Sequence, residues 1–359
     1  MRIILVVTQL EFGGAQSAAI KLCDQFNKRG INAQVVFLYK KSKAFQGQHH
    51  LYDCIFPKAP SNFLDYIKIL RDFYLLVKRT RPTCVISFTH YANALVQPIN
   101  WIVGIKIRIA SQRNPSYSFP RGARWLDYLW GSLGIYTNNV MVSNAVFSTF
   151  SKYPLKYRTR SLVIPNGVLK RPVDESRANL RDKFGLPEDL FCMLTVGRLA
   201  TQKNQEFLID IVNEIDKGVL IIVGDGPLKE TLRLKAKEVE GKVIFIGRLN
   251  ENEIPEILSC SDLFVFPSLF EGMSNALIEA LMYEIPIIAS NIEPNKEVLG
   301  SEFNEVLLDP KDQIGWRKSI ERVMNDKILR QKLVKLAKLR SEEFRLEFVT
   351  DSFENLIRE

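Results

Sequence analysis

Short apolar runs alternate with amphipathic stretches along the whole chain. In the first part, Ile3–Val7, Gln34–Tyr39, Cys84–Phe88, Ile107–Ser111 and Asn139–Ser143 have the length and composition of buried strands. Between them, Ala15–Arg29 sets Ala18, Ala19, Leu22 and Phe26 at helical spacing, and Phe63–Arg79 reads as a second helix. The segment Ser161–Pro172 carries Pro165, Gly167 and Pro172 and reads as a linker. A second alternating block follows. Its strands are expected at Cys192–Val196, Leu220–Val223, Val243–Ile246, Leu263–Pro267, Ile287–Ser290 and Val306–Leu308. Its helices are expected at Gln205–Glu214, Leu228–Val239, Ile254–Cys260, Ser274–Tyr283, Asp312–Arg322, Lys327–Glu343 and Glu347–Ile357. Strands alternating with helices predict parallel sheets covered by helices on both faces. Two such blocks predict two α/β domains with a cleft between the carboxyl ends of their sheets, the edge where doubly wound sheets bind ligands.

Composition fits this picture. A length of 359 residues suits two domains, and 46% hydrophobic with 25% charged residues suits ordinary globular cores. The five cysteines are scattered, form no CxxC pair and have no histidine at metal-ligand spacing, as expected of reduced thiols. The apolar start, Ile3–Val7, is too short for a signal sequence. The longest candidate span, Ile99–Ala110, is broken by Lys106 and Arg108, so no transmembrane helix is expected. A cytoplasmic location follows as the expectation. Charge is uneven. Residues 1–165 hold 22 Lys and Arg against 6 Asp and Glu, a net +16, whereas the remainder carries −7 and the whole chain +9. The basic half is either a solvated surface or one that attracts an anionic substrate or membrane leaflet. No nucleic-acid motif accompanies it, so no nucleic-acid partner is expected.

Four loops could carry chemistry. Phe12-Gly13-Gly14-Ala15-Gln16 follows the first strand and opens the first helix. It is either a tight turn or a place where backbone approaches a phosphate. It is not GxGxxG, and the acidic residue of a dinucleotide site is missing, so a dinucleotide is disfavoured. Val196-Gly197-Arg198-Leu199 with Lys203 puts two cations at the end of a strand, which suits a diphosphate. Val223-Gly224-Asp225-Gly226-Pro227 reads best as a glycine turn closing its connection. The most specific is Ser268–Glu279. Glu271 lies in the loop, Glu279 about one and a half turns into a helix opened by Ser274, and Gly272–Asn275 bring free N–H groups to the helix start. A carboxylate in the helix can accept from a ribose diol, and one in the loop from sugar hydroxyls.

Gly13-Gly14-Ala15, Asn166-Gly167-Val168, Gly197-Arg198…Lys203, Gly224-Asp225-Gly226-Pro227 and Glu271-x7-Glu279 occur in one order, and that order resembles retaining glycosyltransferase family 4 of the polysaccharide, O-antigen and glycolipid assembly type. The resemblance covers nearly the whole chain. It implies the GT-B fold, two Rossmann-like domains facing across a cleft. Residues 1–168 would bind the acceptor, with helix 345–359 crossing back to complete that domain, and residues 169–344 would bind the sugar nucleotide. It implies metal-independent transfer from a UDP- or GDP-sugar to a saccharide or lipid-linked saccharide, without a cofactor, and no DxD follows a strand here.

Carried over by residue, Arg198 and Lys203 hold the diphosphate and Glu279 the ribose. Glu271 faces the donor sugar, and the backbone of Gly272, Met273, Ser274 and Asn275 contacts sugar or phosphate. Gly13 and Gly14 admit the diphosphate. His90, placed at the end of the strand Cys84–Phe88, is either structural or faces the sugar, orienting or polarising rather than acting as base, because in this family the leaving diphosphate itself is thought to accept the acceptor proton. His90, Arg113 and Asn114 are acceptor-side candidates, and Arg113 faces either the acceptor or the donor diphosphate. Trp125-Leu126-Asp127-Tyr128-Leu129-Trp130, after Arg121 and Arg124, suits either a core helix or a membrane interface, and peripheral attachment to the cytoplasmic membrane face is the expectation attached to the second reading. Relatives often place glycine after the glutamate helix, where this chain has Glu284. Two other readings stand beside transfer: a catalytically silent sugar-nucleotide-binding subunit, and a nucleotide-sugar epimerase.

Overall fold

The computed structural model describes residues 1–11, 13–41, 52–239 and 241–358. Phe12, His49 and His50 therefore lie outside the described residues. The chain divides into two compact units, Met1–Gly167 with Leu346–Glu359, and Val168–Arg345.

The first unit holds β1 (Arg2–Leu10), α1 (Gly14–Lys28), β2 (Asn32–Lys40), β3 (Tyr52–Phe56), α2 (Phe63–Thr80), β4 (Cys84–Phe88), α3 (His90–Val103), β5 (Ile107–Gln112), α4 (Arg121–Leu133), β6 (Asn138–Met141), α5 (Asn144–Ser148), α6 (Leu155–Arg158) and β7 (Ser161–Val163). The sheet order is β3-β2-β1-β4-β5-β6-β7, with every pair parallel. The period-2 alternation of β1 separates two cores. Ile3, Leu5 and Val7 pack with α1, while Ile4 and Val6 pack with α2 and α3.

The second unit holds α7 (Arg177–Lys183), β8 (Phe191–Val196), α8 (Gln205–Asn213), β9 (Gly218–Val223), α9 (Lys229–Ala236), β10 (Val243–Gly247), α10 (Glu253–Cys260), β11 (Leu263–Phe266), α11 (Asn275–Met282), β12 (Ile287–Ser290), α12 (Glu293–Leu299), β13 (Leu307–Leu308), α13 (Gln313–Asn325) and α14 (Lys327–Ser341). Its sheet order is β10-β9-β8-β11-β12-β13, again parallel. The continuous apolar runs of β9, β11 and β12 are buried throughout, as strands covered on both faces must be.

The last helix, α15 (Leu346–Arg358), belongs to the first unit. Val349, Phe353, Leu356 and Ile357 join the core beside α1, and Arg29 ties to Asp351 at 2.5 Å and Glu354 at 3.1 Å.

The structure corrects several sequence expectations. Ser161–Val163, read as linker, is the edge strand β7, pairing with Asn139–Met141. Three residues in register extend an existing sheet, a gain that Pro and Gly downstream disguise. His90 does not end a strand; it is the first residue of α3, separated from β4 by Thr89. The helices α3, α5, α6, α7 and α12 and the strand β3 were not foreseen. Pro98 lies inside α3, although proline disfavours a helix interior.

Candidate functional site

In both sheets the strand order reverses beside the first strand of the unit, between β1 and β4 and between β8 and β11. Ligands of doubly wound sheets bind at the carboxyl side of such a point. Every loop singled out from sequence leaves the carboxyl end of one of these central strands or their neighbour β9.

In the second unit, β8 runs into Gly197-Arg198-Leu199 and a 3-10 turn, Thr201–Lys203. Asn204 then takes φ 54°, a left-handed conformation that asparagine tolerates, and α8 begins. The loop after β9 lies on this one. Asp225 O accepts from Leu199 N at 3.0 Å, and Leu199 O accepts from Leu228 N at 3.0 Å. A Cβ on Gly224 would stand 1.9 Å from Gly197 O, and one on Gly226 2.4 Å from Leu199 O. Both glycines are there for close backbone approach.

The loop after β11 locks onto the same structure. Leu269 N donates to Gln202 O at 2.9 Å and Gln202 Nε2 donates to Phe270 O at 2.8 Å. Lys203 Nζ reaches Glu271 Oε1 at 2.6 Å and stands 4.7 Å from the centre of the Phe266 ring. This pair is largely buried, with side-chain exposures of 15% for Lys203 and 7% for Glu271. Gly272, Met273 and Ser274 are buried, and Asn275 and Glu279 are half-buried. Ser274 caps α11, its hydroxyl accepting from Leu277 N. Glu279 stands on the second turn, close enough to Tyr283 for its charge to help push that phenol upward, although burial is the larger cause. Arg198 is exposed on the same edge. Sequence reasoning brought out Lys203 and Glu271 separately. That they form one ion pair, with Gln202 joining their loops, was invisible to it.

In the first unit, Gly13 caps α1 and Gly14 is its first residue, both exposed. Thr89 takes φ 88° before His90, and its hydroxyl meets Thr8 Oγ1 at 2.6 Å. The His90 ring stacks on Phe119 at 4.7 Å and lies 4.3 Å from Tyr91, and burial pushes its pKa below the usual value. Arg113 donates to Asn166 Oδ1 and lies over the Phe88 ring, and burial lowers its pKa to about 10. Asn114 is exposed beside it. The helix α4 divides residue by residue into buried and exposed positions. Trp125 and Tyr128 are 62% and 42% exposed, whereas Trp130 Nε1 donates to Ala94 O and Asp127 is sealed. No group of three or more potential metal ligands occurs among the described residues, and no helix among them is long and apolar enough to cross a membrane.

Residues 176–340, nearly all of the second unit, match the family model of glycosyl transferases group 1. The second domain is thus similar to the group 1 glycosyl transferases. Solved structures similar to the whole chain have the same two-domain parallel architecture, the GT-B fold. Anabaena HepE, solved with UDP and glucose, superposes with a TM-score of 0.85 at 18% identity, covering 100% of this chain and 99% of that one. WaaG, a glycosyltransferase involved in lipopolysaccharide biosynthesis, gives 0.76 at 16%, covering 99% of each chain. Among curated proteins, the UDP-Gal:alpha-D-GlcNAc-diphosphoundecaprenol alpha-1,3-galactosyltransferase of Escherichia coli is 35% identical over 179 residues, which is 46% of each chain. An N-acetyl-D-galactosaminyltransferase of Campylobacter jejuni, acting on a diphosphoundecaprenol-linked saccharide, is 24% identical over 100% of this chain and 99% of its own. This chain thus aligns with about half the length of the first and all of the second. The matched family and these curated relatives are sugar-transferring enzymes, and the Lys203–Glu271 pair lies inside the matched glycosyl transferase domain.

Proposed function

We propose that the chain is a retaining, metal-independent glycosyltransferase of family 4, moving a sugar from a UDP- or GDP-sugar to a saccharide or lipid-linked saccharide during cell-surface glycan assembly. The observation that carries this reading is the buried Lys203–Glu271 pair at the switch point of the second sheet, 2.6 Å apart and one loop below the start of α11. Diphosphate and sugar have opposite needs. The leaving phosphates require cations, supplied by Lys203 and Arg198, and the oxocarbenium-like sugar requires a carboxylate, supplied by Glu271. The start of α11, with the backbone of Gly272, Met273, Ser274 and Asn275, adds N–H donors for the phosphates, and Glu279 on its outer turn takes the ribose hydroxyls. Gly13 and Gly14 leave backbone room for the phosphates, and His90, Arg113 and Asn114 serve the acceptor. Two fixed cations do the electrostatic work that a metal ion performs in other transferases. Acceptors of the diphosphoundecaprenol class, on which the E. coli and C. jejuni relatives act, would suit peripheral contact with the cytoplasmic membrane face. Exposed Trp125 and Tyr128, with Arg121 and Arg124 on the same helix, support that contact.

The test is calorimetric titration with a panel of nucleotide sugars in EDTA. Binding should persist without divalent metal, and Glu279→Ala should weaken it by roughly 1–3 kcal/mol as the ribose diol loses its partner. Unchanged affinity in Glu279→Ala would remove the ribose assignment, and loss of turnover in EDTA the metal-free one.

A further inference from the structure

The second unit carries a cavity of about 720 Å³ at the amino-terminal edge of its sheet, before β11 and β12. This is the edge opposite the loops of Lys203 and Glu271, which follow the carboxyl ends of β8 and β11. The floor is apolar, built from Leu258 in the last turn of α10, Ile285 and Pro286 before β12, and Val334 of α14. Lys327, Arg330 and Lys335 of α14 stand in the wall, facing Arg177 of α7 across the opening. A volume of that order suits a small organic molecule.

The charge of this wall is not a property of the unit as a whole. Residues 168–345 hold 26 Lys and Arg against 30 Asp and Glu, a net −4, yet α14 has six Lys and Arg and no acidic residue. The two carboxylates that line the cavity are already engaged. Asp262 pairs with Arg177 and, at 2.6 Å, with Arg181, and Glu284 pairs with Lys170 at 2.8 Å. Arg330 donates to Val323 O and Met324 O near the end of α13, and no carboxylate pairs with it among the described residues. The side chains of Lys327 and Lys335 make no hydrogen bond or ion pair among the described residues. Three cations without a counter-charge repel one another, and the start of α14 adds the positive end of its dipole. A carboxylate would leave most of that charge uncompensated, whereas a phosphate monoester carries nearly two negative charges and three acceptor oxygens.

We propose that this cavity binds an organic phosphate, its phosphate held by Lys327, Arg330 and Lys335 and its apolar body laid on the floor, and that its occupancy is coupled to the candidate donor site through α11. The route is short. Glu279 stands on the second turn of α11, and Tyr283 and Glu284, directly after that helix, line the cavity. Eight helical residues span about 12 Å. Tyr283 OH accepts from Arg171 N at 2.9 Å and donates to Arg171 O at 3.1 Å, and α11 packs on α14. A ligand that fixes α14 against the end of α11 therefore acts on the helix that carries Glu279. Binding at this place does not depend on the glycosyltransferase reading; the coupling rests on it.

Calorimetric titration of the full chain with hexyl phosphate, inorganic phosphate and hexanol tests the site. Hexyl phosphate should bind about tenfold or more tightly than inorganic phosphate, because only it also covers the floor, and hexanol should not bind measurably. Lys327→Gln/Lys335→Gln should weaken hexyl phosphate by about tenfold or more, while Lys338→Gln, on the same helix but outside the cavity, leaves it unchanged. Val334→Trp, which fills the floor, should abolish the preference for hexyl phosphate over inorganic phosphate. Equal affinity of the parent for the two phosphates, or full affinity in the double variant, overturns the site. A soluble ester and a lipid with a terminal phosphate share this chemistry. Sedimentation with phosphatidylcholine vesicles containing phosphatidic acid separates them: capture that is lost in the double variant assigns a lipid headgroup, and absence of capture assigns a soluble ester.

The coupling is read by titrating the best-bound nucleotide sugar with and without saturating hexyl phosphate. Its affinity should shift by about fivefold or more, the affinity for hexyl phosphate should shift by the same factor in return, and Lys327→Gln/Lys335→Gln should remove both shifts. An unchanged donor affinity overturns the coupling. Failure of the parent to bind any nucleotide sugar would instead strike the underlying functional reading and leave the hexyl phosphate result standing.

Discussion

Removing Lys203 should damage the fold far more than removing a surface lysine. At 2.6 Å and an effective dielectric constant near 20, its attraction to Glu271 is about 6 kcal/mol before desolvation. Withdrawing both groups from water cancels much of that, so the pair itself contributes little net stability. The asymmetry appears when one partner goes. Lys203→Ala strands a carboxylate that is 7% exposed, at a cost of about 3–5 kcal/mol. Because the lysine is 15% exposed, some water can reach the vacated place, which favours the lower figure. For a unit of this size, about 3 kcal/mol lowers the melting temperature by roughly 6–12 °C. The double variant Lys203→Met/Glu271→Leu has no charge to strand and should melt near the parent, while losing transfer. Calorimetric melting of the parent, Lys203→Met, Glu271→Leu and the double variant gives a coupling energy, expected at about 2–3 kcal/mol. Additive single effects, or a Lys203→Ala loss under 1 kcal/mol, would mean that the two groups are solvated independently, and the electrostatic account of the site would fall with them.

Three further outcomes follow from other features. Gly224→Ala places a methyl 1.9 Å from Gly197 O on a backbone at φ +144°, so the stacked loops must part; nucleotide-sugar affinity by calorimetry should drop at least tenfold, and retention of it would show that the loops move freely. Glu284 follows α11 at φ 57°. Glu284→Gly removes roughly 1 kcal/mol of left-handed strain against the loss of one exposed ion pair to Lys170, so the urea midpoint should rise slightly; a fall would refute the strain argument. Asp127 is sealed inside the first unit, and burial raises its pKa from 3.8 to about 6 despite hydrogen bonds from Gln112 Nε2 at 2.8 Å and Tyr157 OH at 3.0 Å. The folded form therefore holds its proton where the unfolded chain has lost it. Its contribution to stability is full below about pH 4 and is lost as pH rises to about 6, by about 3 kcal/mol. Asp127→Asn should flatten that part of the stability profile, measured by urea unfolding against pH, and an unchanged slope would place the titration elsewhere.

The alternation of apolar runs and amphipathic stretches was enough to determine a two-block α/β chain, because buried parallel strands need continuous apolar sequence and their crossover helices need a 3.6-residue stripe. Loop chemistry was equally legible wherever it depended on residue type in short order: Glu271 and Glu279 around a capping serine, and Arg198 and Lys203 after a strand. What local sequence could not contain is anything that depends on separation in space. Ser161–Val163 becomes a strand only because β6 offers it an edge. Gly224 and Gly226 are required by a different loop, whose carbonyls approach where side chains would stand. Lys203 finds Glu271 across 68 residues, and Thr8 finds Thr89 across 81. The sequence therefore determined most of the elements and the chemical groups, while tertiary structure decided the remaining elements and which groups are paired, sealed or strained, since burial and distance are properties of the packed chain and not of any segment of it.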